Sequence, residues 1–137
     1  MSNRKDTEVL VVDGELRDLE LMCKALREQG YKVLPASGYL SGINTFGMHK
    51  GEIALLVTAV ALPEKNGCEL AKNLLAADRN LKVLFVSGAT GAEVCRYYRM
   101  LGVGLHFLEK PLERDEFVRL VRLILEPTVP LRTAGAS

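Results

Sequence analysis

Asp13, Ser87 and Lys110 supply a carboxylate, a hydroxyl and an ammonium, each where a short apolar run ends. Taken singly, none demands a function. An aspartate ahead of a helix serves as an N-cap or turn residue. Ser87, before Gly88-Ala89-Thr90, suits a cap or turn, and Lys110 before Pro111 suits a surface turn. The case changes if all three lie at the ends of different strands on one edge, where they would converge in one cleft. Whether they gather depends on the elements that carry them.

Glu8-Val-Leu-Val-Val12 is a short β-branched run of the kind buried on both faces of a parallel sheet. From Leu16 the period becomes helical, with Leu19, Met22 or Cys23, and Leu26 on one stripe and Gly30 as the stop. Tyr31–Leu34 is a second strand, closed by Pro35. Ser37-Gly38 opens a helix with Leu40, Ile43 and Phe46 inward, ending near Gly47–Gly51 and leaving His49 in a loop. Ile53–Val57, Leu81–Val86 and Leu105–Leu108 are three further strands. A helix carrying Cys68, Leu70-Ala71 and Leu74-Leu75 follows the first of these. A helix over 91–101, closed by Gly102, follows the second, and an amphipathic helix over Glu113–Leu125 follows the third.

This alternation predicts an α/β fold, a parallel sheet with helices on both faces. Right-handed crossovers make it doubly wound. Chemistry in such sheets sits at the carboxyl ends of the strands. That rule places Asp13-Gly14-Glu15, Thr58-Ala59, Ser87-Gly88 and Glu109-Lys110-Pro111 along one edge. The domain spans 8–125, with a flexible N-terminus over 1–7 and a flexible tail over 126–137.

Composition narrows the class. Hydrophobic residues make up 48% and charged residues 26%, the balance of a globular protein rather than a disordered or collagenous one. Lys+Arg 18 against Asp+Glu 17 leaves a net charge of +1, which gives no general pull toward nucleic acid or anionic lipid. No apolar run is long enough to span a membrane, and the polar start MSNRKDTE lacks the apolar core of a signal peptide. Three cysteines without C-x-x-C spacing (Cys23, Cys68, Cys95) read as reduced thiols of a cytoplasmic protein.

Over residues 8–125 the chain resembles the receiver domain of two-component response regulators. Val9-Leu-Val-Val-Asp13-Gly-Glu15 is similar to the family's first strand with its acidic pair. Leu56-Val-Thr-Ala59-Val-Ala-Leu-Pro63-Glu-Lys-Asn-Gly67 is similar to the phosphoacceptor segment, with proline four and glycine eight positions after the acceptor. Val83–Ala89 resembles the fourth strand with its switch hydroxyl, Ser87. Phe107-Leu-Glu-Lys110-Pro111 resembles the fifth strand with its aromatic switch residue and pocket lysine. The resemblance implies a flavodoxin-like (βα)5 fold of strand order 2-1-3-4-5. It also implies an aspartate that takes a phosphoryl group from a histidine kinase with Mg²⁺ bound. Ser87 and Lys110 would grip the phosphoryl oxygens and Phe107 would reorient.

Two departures set the expected function. Ala59 stands at the phosphoacceptor position, and a methyl group forms no acyl phosphate and ligates no metal. Gly14 replaces the second acidic ligand. Mg²⁺ wants carboxylate oxygens, and only Asp13 remains of the family's three. With Lys110 beside it the pocket would sum to zero, so Lys110 would pair directly with Asp13 and Mg²⁺ binding would be weak or absent. Thr58 should point to the opposite face, and Glu15 and Glu64 flank the cleft as loop charges. Arg96, Tyr98 and Arg99 on the fourth helix make an aromatic-basic interaction surface. One of the two tyrosines there should be core and the other exposed. Cys68 and Cys95 read as packing residues.

The expected function is a stand-alone degenerate receiver, a phosphorylation-independent protein-interaction module and not an enzyme. Met1 favours a natural start with no DNA-binding segment expected to follow, and a fragment of a longer regulator or hybrid kinase is the alternative. Expected partners are a histidine kinase or downstream effector, or a second copy through the fourth helix, fifth strand and fifth helix, with no nucleic acid and no membrane. A conventional phosphoaccepting receiver whose aspartate has been substituted at position 59 is the first alternative. Loss of Gly14's acid as well argues against a single designed change. A small flavodoxin-like phosphate-binding enzyme is the second, but Asp13-Gly14-Glu15-Leu16 is no glycine-rich phosphate loop.

Overall fold

The computed structural model describes residues 8–100 and 105–126. Five strands, β1 (Glu8–Val12), β2 (Lys32–Ala36), β3 (Ile53–Ala59), β4 (Lys82–Ser87) and β5 (Leu105–Glu109), form one parallel sheet of order β2-β1-β3-β4-β5. Between and after them run α1 (Leu16–Glu28), α2 (Tyr39–Met48), α3 (Gly67–Ala77), α4 (Gly91–Tyr97) and α5 (Arg114–Leu125). The doubly wound α/β architecture expected from the alternation is therefore present. The expected N-terminus 1–7, Gly102 as a helix stop and all of the expected tail 126–137 but Glu126 lie outside the described residues; Glu126 itself follows α5 as its C-cap.

Alternation along the strands divides the core in two. Val9, Val11, Leu55, Val57, Ala59, Leu84 and Val86 meet α1 and α5 through Met22, Leu26, Phe117 and Val121. Leu10, Val12, Leu56, Val60, Val83 and Phe85 meet α2, α3 and α4 through Phe46, Leu70, Leu74 and Cys95. Each fully buried large side chain contributes about 1.5–3 kcal/mol. That apolar grip from both faces holds the strand ends rigidly enough to carry a site.

Helix ends follow local chemistry. Gly30, at φ +93°, ends α1 in the left-handed conformation. Its N–H donates to the Arg27 carbonyl and that of Tyr31 to Leu26, which satisfies carbonyls the helix would leave bare. Asn66 caps α3 by accepting from the Glu69 N–H at 2.9 Å, and Glu113 caps α5 by accepting from the Glu116 N–H at 2.8 Å.

Three expectations need correction. Pro35 does not close β2 but sits inside it, opposite Val11. It is tolerated because β2 is an edge strand, where one missing donor costs no ladder bond. Leu40 is 56% exposed rather than inward. Because α2 begins at Tyr39, its buried stripe is Tyr39, Gly42 and Phe46, and Leu40 falls a hundred-degree step round the helix. Finally, α4 ends at Tyr97 rather than near 101; Arg99 takes φ +58°, and the Met100 N–H returns to the Cys95 carbonyl.

Candidate functional site

The carboxyl ends of β1, β3, β4 and β5 surround a cavity of about 410 Å³ whose lining includes Asp13, Gly14, Ala59, Pro63, Ser87 and Lys110. The fold thus brings together the three residues whose chemistry opened the question. Asp13 is 1% exposed and both its oxygens are engaged. Oδ1 accepts from the Glu15 N–H at 2.9 Å and Oδ2 from Lys110 Nζ at 2.8 Å. Lys110 is delivered by the end of β5, its own N–H donating to the Ser87 carbonyl at 2.6 Å. The pairing of Lys110 with Asp13 matches what the loss of neighbouring acids suggested.

Sequence reasoning missed Asp18. Its Oδ2 lies 2.9 Å from Lys110 Nζ, so one ammonium bridges two carboxylates. The pocket group therefore carries a single net negative charge rather than none. Asp18 stands in the first turn of α1, where an acidic residue is ordinarily accounted for by the helix dipole. That bland role hid the second one. Burial pulls the Lys110 pKa down, but the hydrogen bonds to Asp13 and Asp18 together outweigh it, and the ammonium titrates above its ordinary value.

Ala59 ends β3, is 3% exposed and belongs to the core on the α1 and α5 side. Thr58 is fully buried on the other face, its Oγ1 donating to the Ala59 carbonyl at 2.9 Å. Close approach fixes the surrounding glycines. A Cβ on Gly67 would lie 2.0 Å from the Ala59 carbonyl oxygen, and one on Gly14 would lie 3.1 Å from Cδ of Pro63. A side chain at 14 would thus begin in tight contact with the Pro63 ring, which would have to give by a few tenths of an ångström, while the rest of Gly14 stays exposed. Of the loop acids, Glu15 stays exposed at the mouth, while Glu64 accepts from the Leu40 N–H at 3.3 Å.

Ser87 is buried at the end of β4, and Phe107 is half-buried on β5. Both face Gly91 at the start of α4, where a Cβ would lie 2.2 Å from Ser87 Oγ and 3.4 Å from Phe107 Cε2. Arg96 and Arg99 are exposed. Tyr98 is half-buried against the α4-side core, whereas Tyr97 is 83% exposed and touches it edge to face. One tyrosine is thus inward and one outward, and the outward ring is Tyr97 rather than Tyr98. Cys68 and Cys95 are buried with their Sγ atoms 3.7 Å apart. Burial, aided by Cys95, pushes the Cys68 thiol up to about 12, so it offers little thiolate.

No helix among the described residues is long and apolar enough to cross a membrane. Sequence relatives include a putative two-component response regulator, ARR21, of Arabidopsis thaliana, 26% identical over 85% of this chain. Sporulation initiation phosphotransferase F of Bacillus subtilis is 23% identical over 97% of the chain. The matched region is 19% of the plant protein and 99% of the bacterial one. Among solved structures, a response regulator receiver protein from Sinorhizobium medicae superposes with a TM-score of 0.78 at 20% identity, covering 88% of this chain and 95% of that one. The model of the response regulator receiver domain family matches residues 9–122. Fold and sequence agree, and the chain belongs to the response regulator receiver domain family of two-component systems.

Proposed function

We propose that this receiver is degenerate and works as a phosphorylation-independent interaction module in two-component signalling. The observation that carries the reading is Lys110 bridging Asp13 and Asp18 beside the methyl group of Ala59. In the family pattern, an aspartate at position 59 would receive the phosphoryl group and a second acid at 14 would help hold Mg²⁺. Here neither position has a side-chain donor atom. Asp13, the one pocket acid left of the family's three, already shares an ammonium with Asp18. A hard octahedral cation needs several oxygen ligands in open array, and these residues do not fit one. The resident ammonium does the charge balancing that a metal would otherwise do, without a phosphorylation cycle.

Output would then come from binding alone, in the cytoplasm and without enzymatic turnover. The surface of α4, β5 and α5, with exposed Arg96, Tyr97 and Arg99, is the proposed contact face for a kinase, an effector or a second copy. Exposed tyrosine and arginine are the types enriched at interface hot spots. Incubation with a small-molecule phosphodonor and Mg²⁺, followed by intact mass measurement, tests the reading. No phosphoryl increment is expected. A stoichiometric increment would show that another side chain accepts phosphate and would overturn it.

A further inference from the structure

The amino-terminal edge of the sheet, opposite the cleft, carries a second polar cluster of Glu8, His49 and Glu52. A tight turn builds half of it. The His49 carbonyl accepts from the Glu52 N–H at 3.0 Å, and Gly51 takes φ +80° between them, as a type II turn requires of its third residue. The turn sets His49 Nδ1 3.4 Å from Glu52 Oε1. Glu8 arrives on β1, its backbone paired with Ile53, and puts Oε1 3.6 Å from the same nitrogen. All three ligand atoms lie within 4.8 Å of one another.

Glu8 points to a missing partner. The residue is only 9% exposed, and its Oε1 has no hydrogen-bond partner among the described residues. Lys32 lies 3.7 Å from the other oxygen, too far for a hydrogen bond. The spacing of the cluster suits a shared metal ion better than a direct hydrogen bond. Hydrogen-bonded N and O atoms sit about 2.7–3.2 Å apart. Zinc bonds of about 2.0–2.2 Å put neighbouring ligands of a tetrahedron about 3.3–3.6 Å apart. The 3.6 and 3.4 Å separations from His49 Nδ1 fall in the second range. Imidazole with carboxylates suits borderline first-row metals better than Mg²⁺.

We propose that Glu8 Oε1, His49 Nδ1 and Glu52 Oε1 bind a divalent first-row transition-metal ion, with solvent completing the coordination. Two carboxylates and a neutral imidazole balance the charge of the ion. Glu52 is largely exposed and borders an open cleft, so an ion has a path in. Once bound, it ties the start of β1 to the turn between α2 and β3 and stabilises the folded chain by linkage. The site is independent of the carboxyl-edge pocket.

Titration calorimetry of the whole chain with zinc chloride, and with magnesium chloride in parallel, tests this together with thermal unfolding. One zinc per chain is expected, with a rise in Tm of several degrees and no such rise with magnesium. Glu52→Gln, an exposed change that leaves folding intact, and His49→Ala should each weaken zinc binding at least tenfold and remove the Tm rise. Asp18→Asn, at the opposite edge, should leave zinc binding unchanged. A flat zinc titration, equal affinity in E52Q, loss of binding in D18N, or an equal response to magnesium would each overturn the assignment.

Discussion

The two edges of the sheet each gather acidic side chains, yet they solve the charge problem in opposite ways. At the carboxyl edge, Asp13 and Asp18 close on Lys110 at 2.8 and 2.9 Å, hydrogen-bond distances that leave no room for an ion between them. At the amino edge, Glu8 meets His49 at 3.6 Å and Lys32 at 3.7 Å, and one buried oxygen accepts nothing among the described residues. The first cluster carries its cation covalently, on the end of β5. At the second, Lys32 pairs only loosely with one Glu8 oxygen, and the other has a place for a cation from solution. Acid count alone therefore says little about metal binding; what matters is whether a lysine reaches the carboxylates first.

The largest test of that contrast removes the resident cation. Lys110→Met leaves Asp13 buried and unpaired, and breaking such a pair costs about 3 kcal/mol or more. Urea unfolding should show that loss, and Mg²⁺ should restore part of it in the variant while leaving the wild type unmoved. Gly67→Ala attacks the same edge through its frame. Its Cβ would meet the Ala59 carbonyl at 2.0 Å, so α3 must withdraw from β3. A loss near the upper end of the overpacking range, about 1–3 kcal/mol, is expected in the same assay.

Ala59→Asp sharpens the comparison from the other side. A third carboxylate in this buried pocket raises like-charge repulsion, and a destabilisation of about 1–2 kcal/mol without metal is expected. Mg²⁺ should reverse it, and phosphodonor should now add a phosphoryl group visible by mass. Adding Gly14→Asp should help metal binding only as far as Pro63, 3.1 Å from the new Cβ, can yield.

The smallest effect is in pH. The folded-state pKa of Lys110 is raised by its two carboxylates despite burial. Its contribution is thus complete below the unfolded lysine value of about 10.4 and is lost as pH rises through the higher folded value. The stability advantage of wild type over Lys110→Met should stay level at neutral and mildly alkaline pH and shrink above about pH 10.5.

Much of the fold could be read from period alone. Short apolar runs gave five strands, and the i, i+3, i+4 stripes of Leu19–Leu26 and Phe117–Ile124 gave their helices. Where the reading failed, context outweighed local pattern. Pro35 looks like a strand stop, but an edge strand tolerates it. Leu40 looks like core until the helix start at Tyr39 sets the phase. Convergence of Asp13, Ser87 and Lys110 followed from topology, because strand ends share an edge. Asp18 did not, because its acid looked like an ordinary first-turn residue. The Glu8–His49–Glu52 cluster was illegible, since three residues from two separate stretches meet only through the register of β1 on β3 and the turn at Gly51.

At the carboxyl edge, we propose, Lys110 stands in place of a metal. Titrating Mg²⁺ into the isotopically labelled wild-type chain, while following backbone amides by NMR, tests it most directly. No saturable shift is expected at Gly14, Glu15, Ala59, Ser87 or Lys110. A saturable shift centred on those amides would mean that Mg²⁺ displaces the lysine, and would contradict a pocket closed by its own ammonium.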